Sequence, residues 1–166
     1  MEQSRRVNSL PNRSYHNVPS LSHMISISAT EVERRLGLMG IQNRFTDAER
    51  SEFDTTSIVG IPNGVIGFPT PQLKSGLNIL NLRKILGTDP SKPPSFFDHP
   101  WYLDEAFAQQ DCEPGWHFLH TNVVPDSISQ PIHYAGRLSE QRMELPSAIE
   151  VVLMIFLHYV GTGEQS

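Results

Sequence analysis

Seven histidines are the side chains of this sequence best suited to hold a metal ion, and two of them, His117 and His120, lie three positions apart. Neutral imidazole is a common ligand for zinc and other transition metals. The aromatic and β-branched residues around this pair predict a β-strand, on which side chains three positions apart point to opposite faces. One ion cannot bind both rings unless the strand contains a bulge. We therefore predict no metal site here and expect hydrogen-bonded or exposed histidines.

The single cysteine, Cys112, is the other side chain that could react. One cysteine excludes an intrachain disulfide and a zinc site built from several thiolates. A nucleophilic cysteine needs surroundings that favour the thiolate. Asp111 and Glu113 flank Cys112, and adjacent carboxylates disfavour a second negative charge. We expect Cys112 to be unreactive.

Two acidic residues and one basic residue stand after the predicted strand. Pro125 and Asp126 come at its end, and Glu140 and Arg142 follow. Over about 18 residues this pattern resembles the P-D…(D/E)-x-K arrangement of the restriction-endonuclease-like nucleases. In that family two acids hold a divalent ion and a lysine helps to activate water, whereas Arg142 stays protonated and cannot act as a base. The resemblance implies an alternative function, a metal-dependent hydrolase or nuclease that uses Asp126, Glu140 and Arg142. His133 would be a further ligand.

The common cofactor-binding and catalytic motifs are absent from the sequence. It contains no glycine-rich dinucleotide or phosphate loop, no G-x-S-x-G elbow, no H-E-x-x-H and no EF-hand loop. Its three lysines, Lys74, Lys84 and Lys92, lack the apolar surroundings that would tune an amine for Schiff-base chemistry. We therefore expect no cofactor, and the sequence favours a protein that is not an enzyme.

The densest group of aromatic residues lies between prolines in the segment 96–102. Aromatic side chains in such a segment are typical anchors of an interface or a ligand site. We assign binding to Phe97, His99, Trp101 and Tyr102. The alternative is that Phe97 and Trp101 fold back and fill the core beneath the loop.

Charge limits the class of partner. Thirteen Lys and Arg against eighteen Asp and Glu give a net charge of −5, whereas proteins that bind nucleic acid usually carry a basic stripe. The expected partner is another protein or a small ligand, and no nucleic acid.

Arg5 and Arg6 look like part of a twin-arginine signal, but no uninterrupted apolar segment follows them. We expect a cytoplasmic location.

Capping and proline patterns mark the starts of the predicted helices. Thr30 with Glu33, and Thr46 with Glu49, have the spacing of capping boxes. Thr70 followed by a proline has the pattern of a third helix start. The last apolar run is too short to span a bilayer. The helices are predicted over 30–40, 46–53, 70–87, 98–110 and 147–161.

Strands account for the remaining regular structure. A hairpin is predicted over 57–68 around Asn63-Gly64, a common tight-turn pair. The segment 116–124 has apolar residues on both faces and is predicted to be a central strand. The fold expected is α+β, with four or five helices packed on a small sheet. Residues 1–27 are predicted to be a polar, flexible tail, and residues 28–166 a single domain that could be the N-terminal part of a longer chain.

Overall fold

A three-stranded sheet and five helices make up the part of the chain that the computed structural model describes, residues 25–42, 44–56, 64–71, 76–122 and 145–163. The strands are β1 (Ile25–Ser26), β2 (Val65–Thr70) and β3 (Gly115–His120). The helices are α1 (Ala29–Leu38), α2 (Asp47–Thr55), α3 (Ile79–Leu86), α4 (Ala106–Gln109) and α5 (Ala148–Thr162). The predicted α+β class is confirmed.

The sheet has the order β1-β2-β3, with β1 parallel and β3 antiparallel to β2. Every residue of β2 is buried because β2 has a strand on each side and apolar residues on both faces. The strand predicted at 116–124 is confirmed over β3. Its predicted central position is wrong within the described sheet, where β2 lies in the middle. The outer side chains of β3, Phe118 and His120, are exposed.

Residues 25–27 belong to the fold, although the sequence placed them in the tail. Ile27 is buried, and its backbone N–H donates to the carbonyl of Gly67 over 2.8 Å. The strand expected near Val65 is present, and β1 and β3 are its partners in the described sheet. The other arm of the predicted hairpin, around residues 58 and 59, lies outside the described residues.

The third helix starts later than predicted. Thr70 is the last residue of β2, and α3 begins at Ile79, where the Asn78 side chain accepts a hydrogen bond from the backbone N–H of Asn81. The Thr70 hydroxyl does not cap a helix, because it donates to the carbonyl of Glu113 over 2.8 Å. A residue distant in the sequence thus binds the Thr70 hydroxyl, in place of the nearby backbone N–H that a helix cap would contact.

Capping explains where the other long helices begin. Thr46 with Glu49 forms the predicted capping box of α2. Helix α1 is capped by Ser28, and not by Thr30 as predicted, because the Thr30 hydroxyl donates to Asp54 over 2.9 Å. Helix α5 also begins with a capping box, between Ser147 and Glu150.

Helix α5 lies at the centre of the packing, in contact with α1, α3, α4 and β3. Its residues Ile149, Leu153 and Leu157 are almost completely buried. Their spacing of four residues places them on one face of the helix. No helix among the described residues has the length and apolar character needed to cross a membrane.

Candidate functional site

The proline-rich segment between α3 and α4 carries the four aromatic residues assigned to binding. The predicted helix over 98–110 is limited to α4, because the residues before it form successive turns. Leu103 donates to the carbonyl of Pro100 over 3.0 Å, and Glu105 donates to that of Tyr102 over 3.1 Å. These bonds span three residues, whereas α-helical bonds span four.

Contacts on the inner side hold this segment in place. Tyr102 is buried, and its hydroxyl lies 3.4 Å from the carbonyl oxygen of Phe97 as a donor. The Arg83 guanidinium lies 5.9 Å from the centre of the Tyr102 ring and pairs with Asp98 over 2.7 Å. Phe96 packs edge-on against Phe156 of α5. The inner residues thus fix the loop that carries the outer ones.

Three of the four assigned residues lie on the outside. Phe97 is 78% exposed and Trp101 is 67% exposed. The exposed His99 ring stacks on Phe97 with 5.2 Å between ring centres. Phe97 and Trp101 therefore do not fill the core, although Tyr102 does. We call Phe97, His99 and Trp101 the aromatic surface.

A second group of chemically capable side chains lies in the core, where sequence reasoning did not find it. We call Thr70, Cys112, His117 and Glu150 the His117 cluster. The Nδ1 of His117 lies 2.6 Å from Oε1 of Glu150, and its Nε2 lies 2.7 Å from the Thr70 hydroxyl and 3.0 Å from the carbonyl oxygen of Glu113. The Cys112 sulfur lies 3.7 Å from the same Nε2.

Three elements bring the cluster together. His117 points inward from β3 because alternate residues of a strand share a face, and Leu119 is buried beside it. Antiparallel pairing places β3 beside β2, which supplies Thr70. The capping box holds Glu150 in the first turn of α5. His120 is exposed on the other face of β3, as predicted from its spacing.

The hydrogen bonds that Glu150 accepts lower its pKa and so keep it ionised. Burial raises its pKa, but hydrogen bonds from Ser147 and the interaction with His117 outweigh burial and hold the pKa below its usual value of 4.5. Both the backbone N–H and the hydroxyl of Ser147 donate to Oε2. Glu150 is therefore a carboxylate at neutral pH.

Both ring nitrogens of His117 have hydrogen-bond partners. Nδ1 faces the Glu150 carboxylate, and Nε2 faces the carbonyl oxygen of Glu113, so each nitrogen meets an acceptor. The Thr70 hydroxyl donates to the same carbonyl and can accept from Nε2. This arrangement is a buried hydrogen-bond network that connects β3 to the start of α5.

Cys112, His117 and Glu150 follow the order of a thiol–imidazole–carboxylate triad, but their chemistry opposes catalysis. A general base needs a lone pair reserved for the thiol, and the same Nε2 lies within hydrogen-bond distance of the Thr70 hydroxyl and of the carbonyl oxygen of Glu113. Burial raises the pKa of Cys112 to about 12, and the nearby carboxylates of Glu150 and Glu113 act in the same direction. The thiol therefore stays neutral, in agreement with the expectation from the sequence.

Alkylation kinetics test this conclusion. We expect iodoacetamide to modify Cys112 at least about 100-fold more slowly in the native protein than in urea, because reaction requires an accessible thiolate. Intact-mass spectrometry at pH 8 would follow both reactions. Similar rates in the two states would show that the thiol is activated or exposed in the native protein.

The residues of the alternative hydrolase function, Asp126, Glu140, Arg142 and His133, lie outside the described residues. That function stays a prediction. Among the residues that are described, no three His, Cys, Asp or Glu side chains are grouped so that they could hold a metal ion.

Sequence reasoning missed the His117 cluster because its members are far apart in the chain. Glu150 is 33 residues from His117, and Thr70 is 47 residues away. Two local signals were available: the alternation that points His117 inward, and the Ser147-x-x-Glu150 spacing of a capping box. Neither signal predicts that the side chains of His117 and Glu150 are in contact.

Comparison with protein-family models, with curated proteins and with solved structures finds no match to this chain.

Proposed function

We propose that this chain is a non-catalytic domain that binds another protein through the aromatic surface. The observation that carries the proposal is the exposure of Phe97 and Trp101 on one short segment. Tryptophan is among the residues that contribute most to binding at protein interfaces. Contact between a large aromatic group and water is unfavourable, so a partner that covers the group lowers the free energy of the system.

The fixed backbone of the segment supports this proposal. The pair between Arg83 and Asp98 and the burial of Tyr102 hold the loop before any partner arrives. A preorganised surface loses less conformational entropy on binding than a mobile one. The segment can therefore present Phe97 and Trp101 in one arrangement.

The shape of the surface favours a protein over a small ligand. Small-molecule sites are concave and enclose most of their ligand. Two clefts among the described residues, of about 480 and 310 Å³, are lined by other residues, the first by residues of α1 and the segment after it, the second by prolines and α5. We also propose a cytoplasmic location, which the single, free Cys112 supports because disulfides are rare in that compartment.

Truncation of the aromatic surface tests the proposed function. Wild-type, Phe97→Ala and Trp101→Ala proteins would be used to capture partners from a lysate of the native host, with quantitative mass spectrometry. We expect a specific partner to be captured at least about 10-fold less by either variant, because loss of a central aromatic anchor costs about 2 kcal/mol or more. Neither substitution should lower the melting temperature by more than about 2 °C, because surface positions contribute little to stability.

Two control variants separate binding from folding. Leu38→Ala removes an exposed apolar side chain from α1 and should leave capture unchanged. Tyr102→Ala removes a buried side chain of the same segment and should lower the melting temperature clearly. The proposal fails if Trp101→Ala captures every partner as wild type does, or if it is destabilised as much as Tyr102→Ala.

A further inference from the structure

The stretch of sequence that carries the aromatic surface contains acidic residues and no basic ones. From residue 93 to residue 136 the sequence contains no lysine or arginine. The described part of this stretch carries five exposed acidic residues, Asp98, Asp104, Glu105, Asp111 and Glu113. Negative charge is therefore concentrated in the stretch of sequence that carries the exposed rings.

Two of these carboxylates have no ion-pair partner in the part of the chain that the structure describes. Arg83 pairs with Asp98, but Asp104 and Glu105 form no ion pair with any described residue. Glu105 precedes α4 and makes no side-chain capping bond. Both residues follow Trp101 within four positions, on the same series of turns.

We infer that the aromatic surface binds a cationic segment of its partner, with a lysine or arginine side chain against Trp101 and beside the carboxylates of Asp104 and Glu105; this inference depends on the proposed function. A cation is attracted to the face of an aromatic ring, and tryptophan is the strongest of the aromatic residues in this respect. The two carboxylates add attraction of the same sign and speed the approach of a basic partner.

A contact between a cation, an aromatic ring and a carboxylate already occurs within the chain. The guanidinium of Arg83 lies over the ring of Tyr102 and pairs with the carboxylate of Asp98. In this internal site the Tyr102 ring and the Asp98 carboxylate together bind the Arg83 cation. Trp101, Asp104 and Glu105 offer the same two kinds of group within five consecutive residues; all three are exposed, and no described cation pairs with the two carboxylates.

Synthetic peptides of about 12 residues provide the probe, since charge complementarity can be varied in them one residue at a time. The first contains Gly, Pro and Leu with three Arg; the second has Gln, and the third Glu, in place of each Arg. NMR would follow the indole N–H of Trp101, and the Trp101→Phe variant would assign its signal. The indole nitrogen of Trp116 is buried and serves as an internal reference.

We expect the Arg peptide to shift the Trp101 signal and to bind at least about 10-fold more tightly than the Gln peptide. Binding should weaken several-fold as salt rises from about 50 to about 300 mM, because exposed charges are screened. Asp104→Asn with Glu105→Gln should weaken binding by about threefold to tenfold. The matched pair Asp47→Asn with Glu52→Gln, which removes two exposed carboxylates from α2, should leave it unchanged.

Three outcomes would overturn the inference. Equal binding of the Gln and Arg peptides at Trp101 would mean that the surface selects apolar groups and not charge. Equal weakening by the two charge-removing pairs would mean that net charge alone attracts the peptide. No shift of the Trp101 signal at millimolar Arg peptide would mean that no cationic site exists there. The capture experiment with Phe97→Ala and Trp101→Ala decides the proposed function separately in each case.

Discussion

His117→Ala should lower the free energy of unfolding by about 3–5 kcal/mol at pH 7, because it leaves a cavity and leaves the hydrogen-bond partners of the ring unsatisfied. The imidazole ring is almost completely buried and bonds to Glu150, to Thr70 and to the carbonyl of Glu113. Alanine satisfies none of these groups. Urea denaturation monitored by circular dichroism would measure the loss. A change below about 1 kcal/mol, the range of an exposed ion pair, would contradict the buried network.

Glu150→Gln separates the charge of Glu150 from its shape. Glutamine can occupy the same position of a capping box, so α5 keeps its start. We expect a smaller loss of about 1.5–3 kcal/mol at pH 7, the contribution of a hydrogen bond to a charged group. Glu113→Gln is the matched control, because His117 contacts the backbone carbonyl of Glu113 and not its exposed side chain.

Acid should remove the contribution of Glu150. Its pKa is lower in the folded protein than the usual value of 4.5, so the carboxylate stabilises the fold fully above that pH and loses its effect as the pH falls through the folded pKa. The difference in stability between wild type and Glu150→Gln should therefore shrink from pH 5 to pH 3. The difference is the informative quantity because other carboxylates also titrate; hydrogen bonds from Arg34, for example, hold the pKa of Glu31 at about 2.

Phe68→Ala should have an effect of similar size, about 3–5 kcal/mol, because it leaves a large cavity in the middle strand. Phe68 is completely buried, and its ring centre lies 5.4 Å from that of His117. Loss of this ring would also loosen the packing around His117. Urea and thermal denaturation would measure the change.

Phe118→Ala is the matched control for Phe68→Ala. Phe118 lies in the adjacent strand on the other face of the sheet and is half-exposed, where it stacks on Trp116. We expect its removal to cost less than about 1.5 kcal/mol, the upper value for an aromatic pair. Equal losses for the two variants would mean that the outer face of β3 is covered in solution.

Elements with a complete local signal could be predicted from the sequence. The capping box of Thr46 and Glu49 starts α2 where expected, because both partners lie within one turn. The alternation in β3 correctly placed His117 and His120 on opposite faces. Errors arose where a distant partner competed with a local one: Thr70 bonds across the sheet and Thr30 bonds to α2, so neither caps its predicted helix.

The sequence by itself determined the α+β class, the position of β3 and the lack of Lys and Arg between residues 93 and 136. Only the tertiary structure decided that Tyr102 is buried while Trp101 beside it is exposed, and that His117 meets Glu150. Periodicity, capping and turn patterns act over a few neighbouring residues, so the sequence displays them directly. Burial of one particular ring, or a contact across 33 residues, depends on how β3 and α5 pack, and no local pattern encodes that packing.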